Sequence, residues 1–179
     1  MKRSTVILKI QNMISPSMVI LLAVILRLVP HPPNFAPIGA MALFGGAYLD
    51  KRYALVIPLF ALFISDIFLG FHSTMIFVYG SFIITGIIGI QLKSRKTVRN
   101  IIFASILSSL TFYFVTNLGV WLVTNIYPKT TSGLLESYVM ALPFFQNTML
   151  GDLFYSGVFF GSYSMILKMI GLPAKQNIN

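Results

Sequence analysis

The sequence predicts an all-α integral membrane protein, a bundle of six transmembrane helices with both termini cytoplasmic. Three observations lead there. Hydrophobic residues make up 56% of the 179-residue chain and charged residues only 9%, against roughly 25% charged in a soluble domain. Mean hydropathy is +0.84, more apolar character than one soluble core can hide. The charges also fall in short clusters between apolar runs, the placement expected of membrane topology signals. A single transmembrane domain spanning 1–179 is the expectation at this length.

The elements follow from apolar runs and their breakers. Lys2, Arg3 and Lys9 precede an apolar run without a small-residue cleavage site, so it reads as a retained first helix at about 14–29. Pro30, Pro32 and Pro33 end it, because proline lacks an N–H and disfavours helix before it. Pro37 suits the start of a second helix, about 37–49, rich in the small residues Gly39, Ala40, Ala42, Gly45, Gly46 and Ala47. Asp50, Lys51 and Arg52 separate it from a third, about 53–71, which contains Pro58. After the tight connection His72-Ser73 comes a fourth at about 74–92. Lys93, Arg95, Lys96 and Arg99 lead to a fifth at about 101–124. A polar loop and a short interfacial helix follow, divided by Pro143 from a sixth span at about 144–167.

Charge asymmetry orients this arrangement. With the amino terminus inside, the inner segments hold Lys2, Arg3, Lys9, Lys51, Arg52, Lys93, Arg95, Lys96, Arg99, Lys168 and Lys175, which is 11 of the 13 basic residues. Lys129 is outside and Arg27 lies within the first span. The net charge of +9 is therefore a topology signal, and no nucleic-acid partner is expected. The partners expected are a lipid bilayer and a small-molecule substrate, and the location is the cytoplasmic (inner) membrane.

Ionisable residues inside a bilayer are costly and mark function by default. Arg27, Asp66 and Asp152 are such residues, and all fall in the outer parts of their helices. Asn117 and Trp121 share that depth in the fifth helix, Asn147 in the sixth, and Asn34 lies in the first outer loop. Polar groups gathered at one face suggest a cavity opening outward, lined by Arg27, Asn34, Asp66, Asn117, Trp121, Asn147 and Asp152. Arg27 would meet an anionic group or hold Asp66, a carboxylate would accept ligand N–H donors, and Trp121 with Tyr79 would stack on a planar ring. The alternatives are structural. Arg27 with Asp66 or Asp152 is also a helix-locking ion pair, Arg27 can snorkel to headgroups, and Trp121 suits an interfacial aromatic belt. Ala42-x-x-x-Gly46, Ser105-x-x-x-Ser109 and Gly157-x-x-x-Gly161 read as packing motifs.

Enzymatic chemistry is not expected. The chain has no Walker loop, no H-E-x-x-H and no G-x-S-x-G. Cysteine is absent and only four acidic residues exist, so neither a metal site nor a cofactor is anticipated. His31 and His72 have no metal-ligand spacing.

The stretch from Arg27 to Tyr48, with Pro32, Pro33, Asn34, Pro37 and Gly39, resembles the first-loop and second-helix region of the substrate-binding S components of energy-coupling factor (ECF) vitamin transporters. The whole chain is similar to a poorly characterised bacterial family of transport-type proteins, with Asn117-Leu-Gly-Val-Trp121 and Phe144 to Asp152 as later landmarks. The resemblance implies a six-helix S-component-like bundle whose first loop caps an outward pocket for a vitamin or vitamin precursor. It also implies docking on an ECF energising module through small residues on the first helix. That helix carries no small-x-x-x-small pair, so solitary action is the alternative. A second function class, a non-transporting membrane scaffold of the same fold, would have its pocket filled by its own side chains.

Overall fold

The computed structural model describes residues 16–169. The expected start of the first helix at 14, the basic residues Lys2, Arg3, Lys9 and Lys175, and both chain ends lie outside the described residues. Among the described residues all regular structure is helical. The described residues form seven helices: α1 (Pro16–Leu28), α2 (Ile38–Tyr48), α3 (Val56–Leu69), α4 (Met75–Leu92), α5 (Val98–Val123), α6 (Thr131–Met140) and α7 (Leu142–Met169). α4 and α5 are long and apolar enough to cross a bilayer; α1, α2 and α3 are shorter apolar helices.

Local chemistry sets the boundaries. α1 stops two residues before Pro30. The loop beyond it turns on Asn34, at φ 63°, a left-handed conformation that asparagine tolerates better than most side chains. α3 starts at Val56 rather than near 53, because Pro58 fits without clash only in a first turn. It ends on Gly70 at φ 95°, whose N–H bonds Asp66 O at 2.8 Å. That backbone conformation requires glycine. α5 starts at Val98, earlier than the apolar run implies, because the Thr97 hydroxyl accepts the Asn100 N–H at 3.2 Å and caps it. Thr130 caps α6 on Gly133 N in the same way. A break at Ala141 separates α6 from α7, and Pro143 falls in the first turn of α7.

α2 is the central strut, with Ile38 through Ala47 all buried. Its small residues explain how. A Cβ on Gly46 would overlap the Gly86 carbonyl of α4, and one on Gly89 would overlap the Leu43 carbonyl of α2. The two backbones therefore touch where a side chain would hold them apart. α1, α3, α5 and α7 complete the surround. Beyond α2, an aromatic cluster closes the bundle. Phe44 meets Phe160 at 5.3 Å between ring centroids, and Tyr48 meets Tyr163 at 4.6 Å. The same end carries Lys51, Arg52, Arg95, Arg99 and Lys168. Lys93 there donates to Leu49 O at 2.8 Å, and Lys96 stands 5.2 Å over the Tyr48 ring.

Beside a buried apolar core, many large apolar side chains are exposed and several small hydroxyl side chains are buried. Phe60, Phe68, Ile76, Phe103, Phe114, Leu150, Phe154 and Met165 are exposed, whereas Ser65, Ser81, Thr85, Ser105, Ser108, Ser109 and Ser156 are buried. The buried serine hydroxyls are satisfied within the protein. Ser105 of α5 and Ser156 of α7 lie 2.6 Å apart, and Ser108 and Ser109 bond carbonyls one turn back.

Candidate functional site

A cavity of about 450 Å³ opens at the end of the bundle opposite the aromatic cluster. There α1, α3 and α5 end while α2, α4 and α7 begin. His31, Asn34, His72 and Thr74 stand at the mouth, on or beside the connecting loops. Thr85, Ser108 and Asp152 form the floor, and Phe82, Phe112, Tyr113, Phe144 and Phe145 line the walls. Thr85 and Asp152 each lie ten residues into their helices, so the floor is about 15 Å deep at a rise of about 1.5 Å per residue.

Arg27 borders the cavity, but its guanidinium is turned toward α3. Its Nη2 lies 2.7 Å from Asp66 Oδ1, and its Nη1 donates to Leu62 O at 3.2 Å and to the Ser65 hydroxyl. Leu62, Ser65 and Asp66 are spaced i, i+3, i+4, so one face of α3 presents all three acceptors. From α4, the Tyr79 hydroxyl donates to the other Asp66 oxygen at 2.7 Å. Arg27, Asp66 and Tyr79 thus tie α1, α3 and α4 into one clamp. Of the alternatives open at the sequence level, the structure pairs Arg27 with Asp66 rather than Asp152.

Asp152 sits elsewhere. Its carboxyl, 4% exposed in the residue as a whole, accepts the Ser109 hydroxyl at 2.7 Å. Its other side lies against Gly39, where a Cβ would overlap the carboxyl oxygen, and the Ala40 N–H faces it. The first turn of α2 has N–H groups without intrahelical partners and a partial positive charge. Pro37 supplies no side-chain cap there, so Asp152 reaches across from α7 to do so. Gly39 is required at this point because nothing larger leaves room.

The remaining expected residues divide. Asn34 and Asn117 line the cavity, the latter also donating to Tyr113 O at 2.8 Å. Trp121 does not line it. Its indole N–H bonds Pro128 O at 2.9 Å, and Lys129, 5.8 Å from its ring, also donates to Thr124 O at 2.6 Å. That cluster closes the carboxyl end of α5. Asn147 is likewise outside the lining; its amide donates to Pro33 O at 3.0 Å and pins the first loop onto α7. The loop is also fixed by Phe35, whose ring packs on Phe154 and Tyr155 at 5.8 and 5.7 Å. Asp66 and Tyr79 stand behind Arg27. The structure therefore brings Arg27, Asn34, Asn117 and Asp152 together at the cavity and gives the other four supporting positions.

Sequence reasoning passed over Thr85, Ser108, Thr116 and Thr148, all of which line the cavity. A signal existed: Ser105, Ser108, Ser109, Thr116 and Asn117 recur at helical spacing in an otherwise apolar helix, which marks a buried polar stripe. No group of three or more potential metal-ligating side chains occurs among the described residues.

Fold and site together define an all-helical protein with an apolar exterior and a polar-floored cavity open at one end. The chain belongs to DUF6580, a family of unknown function, whose profile matches residues 8–174. No curated protein and no solved structure matches the chain.

Proposed function

We propose that this is a multi-pass protein of the cytoplasmic (inner) membrane that binds a small solute in its cavity and serves its uptake. In this reading it acts in the manner of the ECF S components it resembles, with a vitamin-like compound or precursor as substrate. The cavity carries the proposal. Its volume of about 450 Å³ lies within the range of about 300–1,000 Å³ for small-molecule sites, and it combines ring-lined walls with a few polar groups at the floor. A scaffold of the same fold would have filled this space with its own side chains.

The membrane reading rests on the outward apolar surface and on α4 and α5. α1 to α5 and α7 would be the six spans. α1, α2 and α3, with 13, 11 and 14 described residues, fall short of the roughly 20 that cross a bilayer alone. α2 is enclosed by its neighbours, so its ends need no lipid contact. The basic end would be cytoplasmic and the mouth would face outward. An energising module remains the partner implied by the resemblance. Large residues Leu21, Leu22 and Ile25 face out from α1, so docking would use a surface other than a small-residue seam there.

Native mass spectrometry of the gently purified protein tests the proposal. A co-purified small molecule is expected in the wild type and is expected to be lost in Val78→Trp, which fills the cavity from α4. A wild-type protein that is empty, and whose melting temperature ignores a vitamin panel, refutes it.

A further inference from the structure

We propose that the cavity takes an organic cation, with a positively charged nitrogen seated at Asp152 and an apolar or flat body against the ring walls. This inference rests on the solute-binding reading of the same cavity and names the class of solute.

The argument is a charge count. The ionisable groups lining the cavity are Arg27, His31, His72 and Asp152. Arg27 is neutralised by Asp66 at 2.7 Å, and its Nη1 is taken up by Leu62 O and Ser65. The histidines stand at the mouth and are held locally, His31 by Pro32 O at 3.0 Å and His72 by the Thr74 hydroxyl at 2.8 Å. Asp152, at the floor, has no cationic partner among the described residues. A buried carboxylate without a countercharge is costly. The Ser109 hydroxyl and the first turn of α2 offset part of that cost, since a helix start carries only about half a unit charge. A proton supplies the remainder in the empty cavity, and a ligand cation can take its place.

The same geometry disfavours an anion. An anionic group at the floor would meet Asp152 as a like charge, and the one arginine at the cavity already serves Asp66. The walls agree with this selectivity. Phe82, Phe112, Tyr113, Phe144 and Phe145 line the cavity, and aromatic ring faces attract cations. Capping α2 requires only a hydrogen-bond acceptor, which asparagine or serine supplies equally well. A carboxylate adds a negative charge that the helix start balances only in part.

The test compares three compounds of one shape and different charge: tryptamine, tryptophol and indole-3-acetate. Phenethylamine, phenethyl alcohol and phenylacetate form a second, smaller series. Each is titrated into wild-type protein in a neutral detergent, with calorimetry and thermal stability as readouts. The amines are expected to bind at least tenfold more tightly than the alcohols, with the acids weakest. Asp152→Asn is expected to remove the amine preference, bringing the amine and alcohol affinities within about twofold of each other. If that variant does not fold, the wild-type ranking decides alone. Alcohols or acids that bind as tightly as the amines overturn the cation inference and leave the solute-binding reading standing. Failure of every compound, together with an empty purified protein, overturns both.

Discussion

Replacing Asp66 with alanine strands a guanidinium. In the wild type Asp66 accepts Arg27 Nη2 and the Tyr79 hydroxyl, each at 2.7 Å, and the two charged side chains are 13% and 4% exposed. Removing one partner of a buried pair costs about 3–5 kcal/mol, whereas replacing both by apolar residues of similar size is often nearly neutral. Arg27 stands at the cavity edge, where water reaches it, so the low end applies. About 3 kcal/mol is expected, a shift of roughly a hundredfold in the folding equilibrium. The double variant Arg27→Met/Asp66→Leu removes both charges and is expected to be more stable than Asp66→Ala by about 2 kcal/mol. Equilibrium unfolding in mixed micelles titrated with sodium dodecyl sulfate measures both. The single tryptophan, Trp121, serves as an intrinsic probe. A double variant that loses as much stability as Arg27→Met and Asp66→Leu summed would show that the residues do not act as a pair, and the clamp joining α1, α3 and α4 would be refuted.

Gly89→Ala drives a methyl group into the Leu43 carbonyl and is expected to cost about 1–3 kcal/mol, despite the helix preference of alanine. Gly157→Ala meets open space and should gain up to about 1 kcal/mol in the same titration; equal effects at the two sites would contradict the close α2–α4 contact. The chain has no native cysteine, so single cysteines report sidedness directly. Ser132→Cys is expected to react with an impermeant thiol reagent in intact cells and Ser94→Cys only after permeabilisation, and the opposite pattern would invert the proposed orientation. Trp121→Phe loses the bond to Pro128 O and should speed proteolysis of the α5–α6 loop while leaving solute affinity unchanged; a tenfold loss of affinity would return Trp121 to the binding site.

Much of the helical framework was legible because its signals are local. Apolar runs and the prolines at 30, 37 and 143 act within about a turn of the helix ends they mark. Where boundaries shifted, as at Val56 and Val98, the cause was still local: a proline limited to the first turn and a cap that begins the helix before its apolar run. The gathering of Arg27, Asn34, Asn117 and Asp152 at one end was legible too, since helices that alternate in direction bring residues of like depth to the same end. The hydroxyl stripe on α5 was present in the sequence but reads equally well as packing until the partner helix is known.

By itself the sequence determined the helical class, the apolar exterior and the end at which polar residues collect, because each depends on composition and on spacing along one helix. Only the tertiary structure decided which carboxylate Arg27 meets, which one is left at the cavity floor, and why residue 39 is glycine. Those outcomes depend on which helices touch and how closely. Asp66 and Asp152 are the same residue type in similar apolar surroundings along the chain. They differ in their neighbours: Asp66 on α3 meets α1 and α4, while Asp152 on α7 meets α5 and the start of α2.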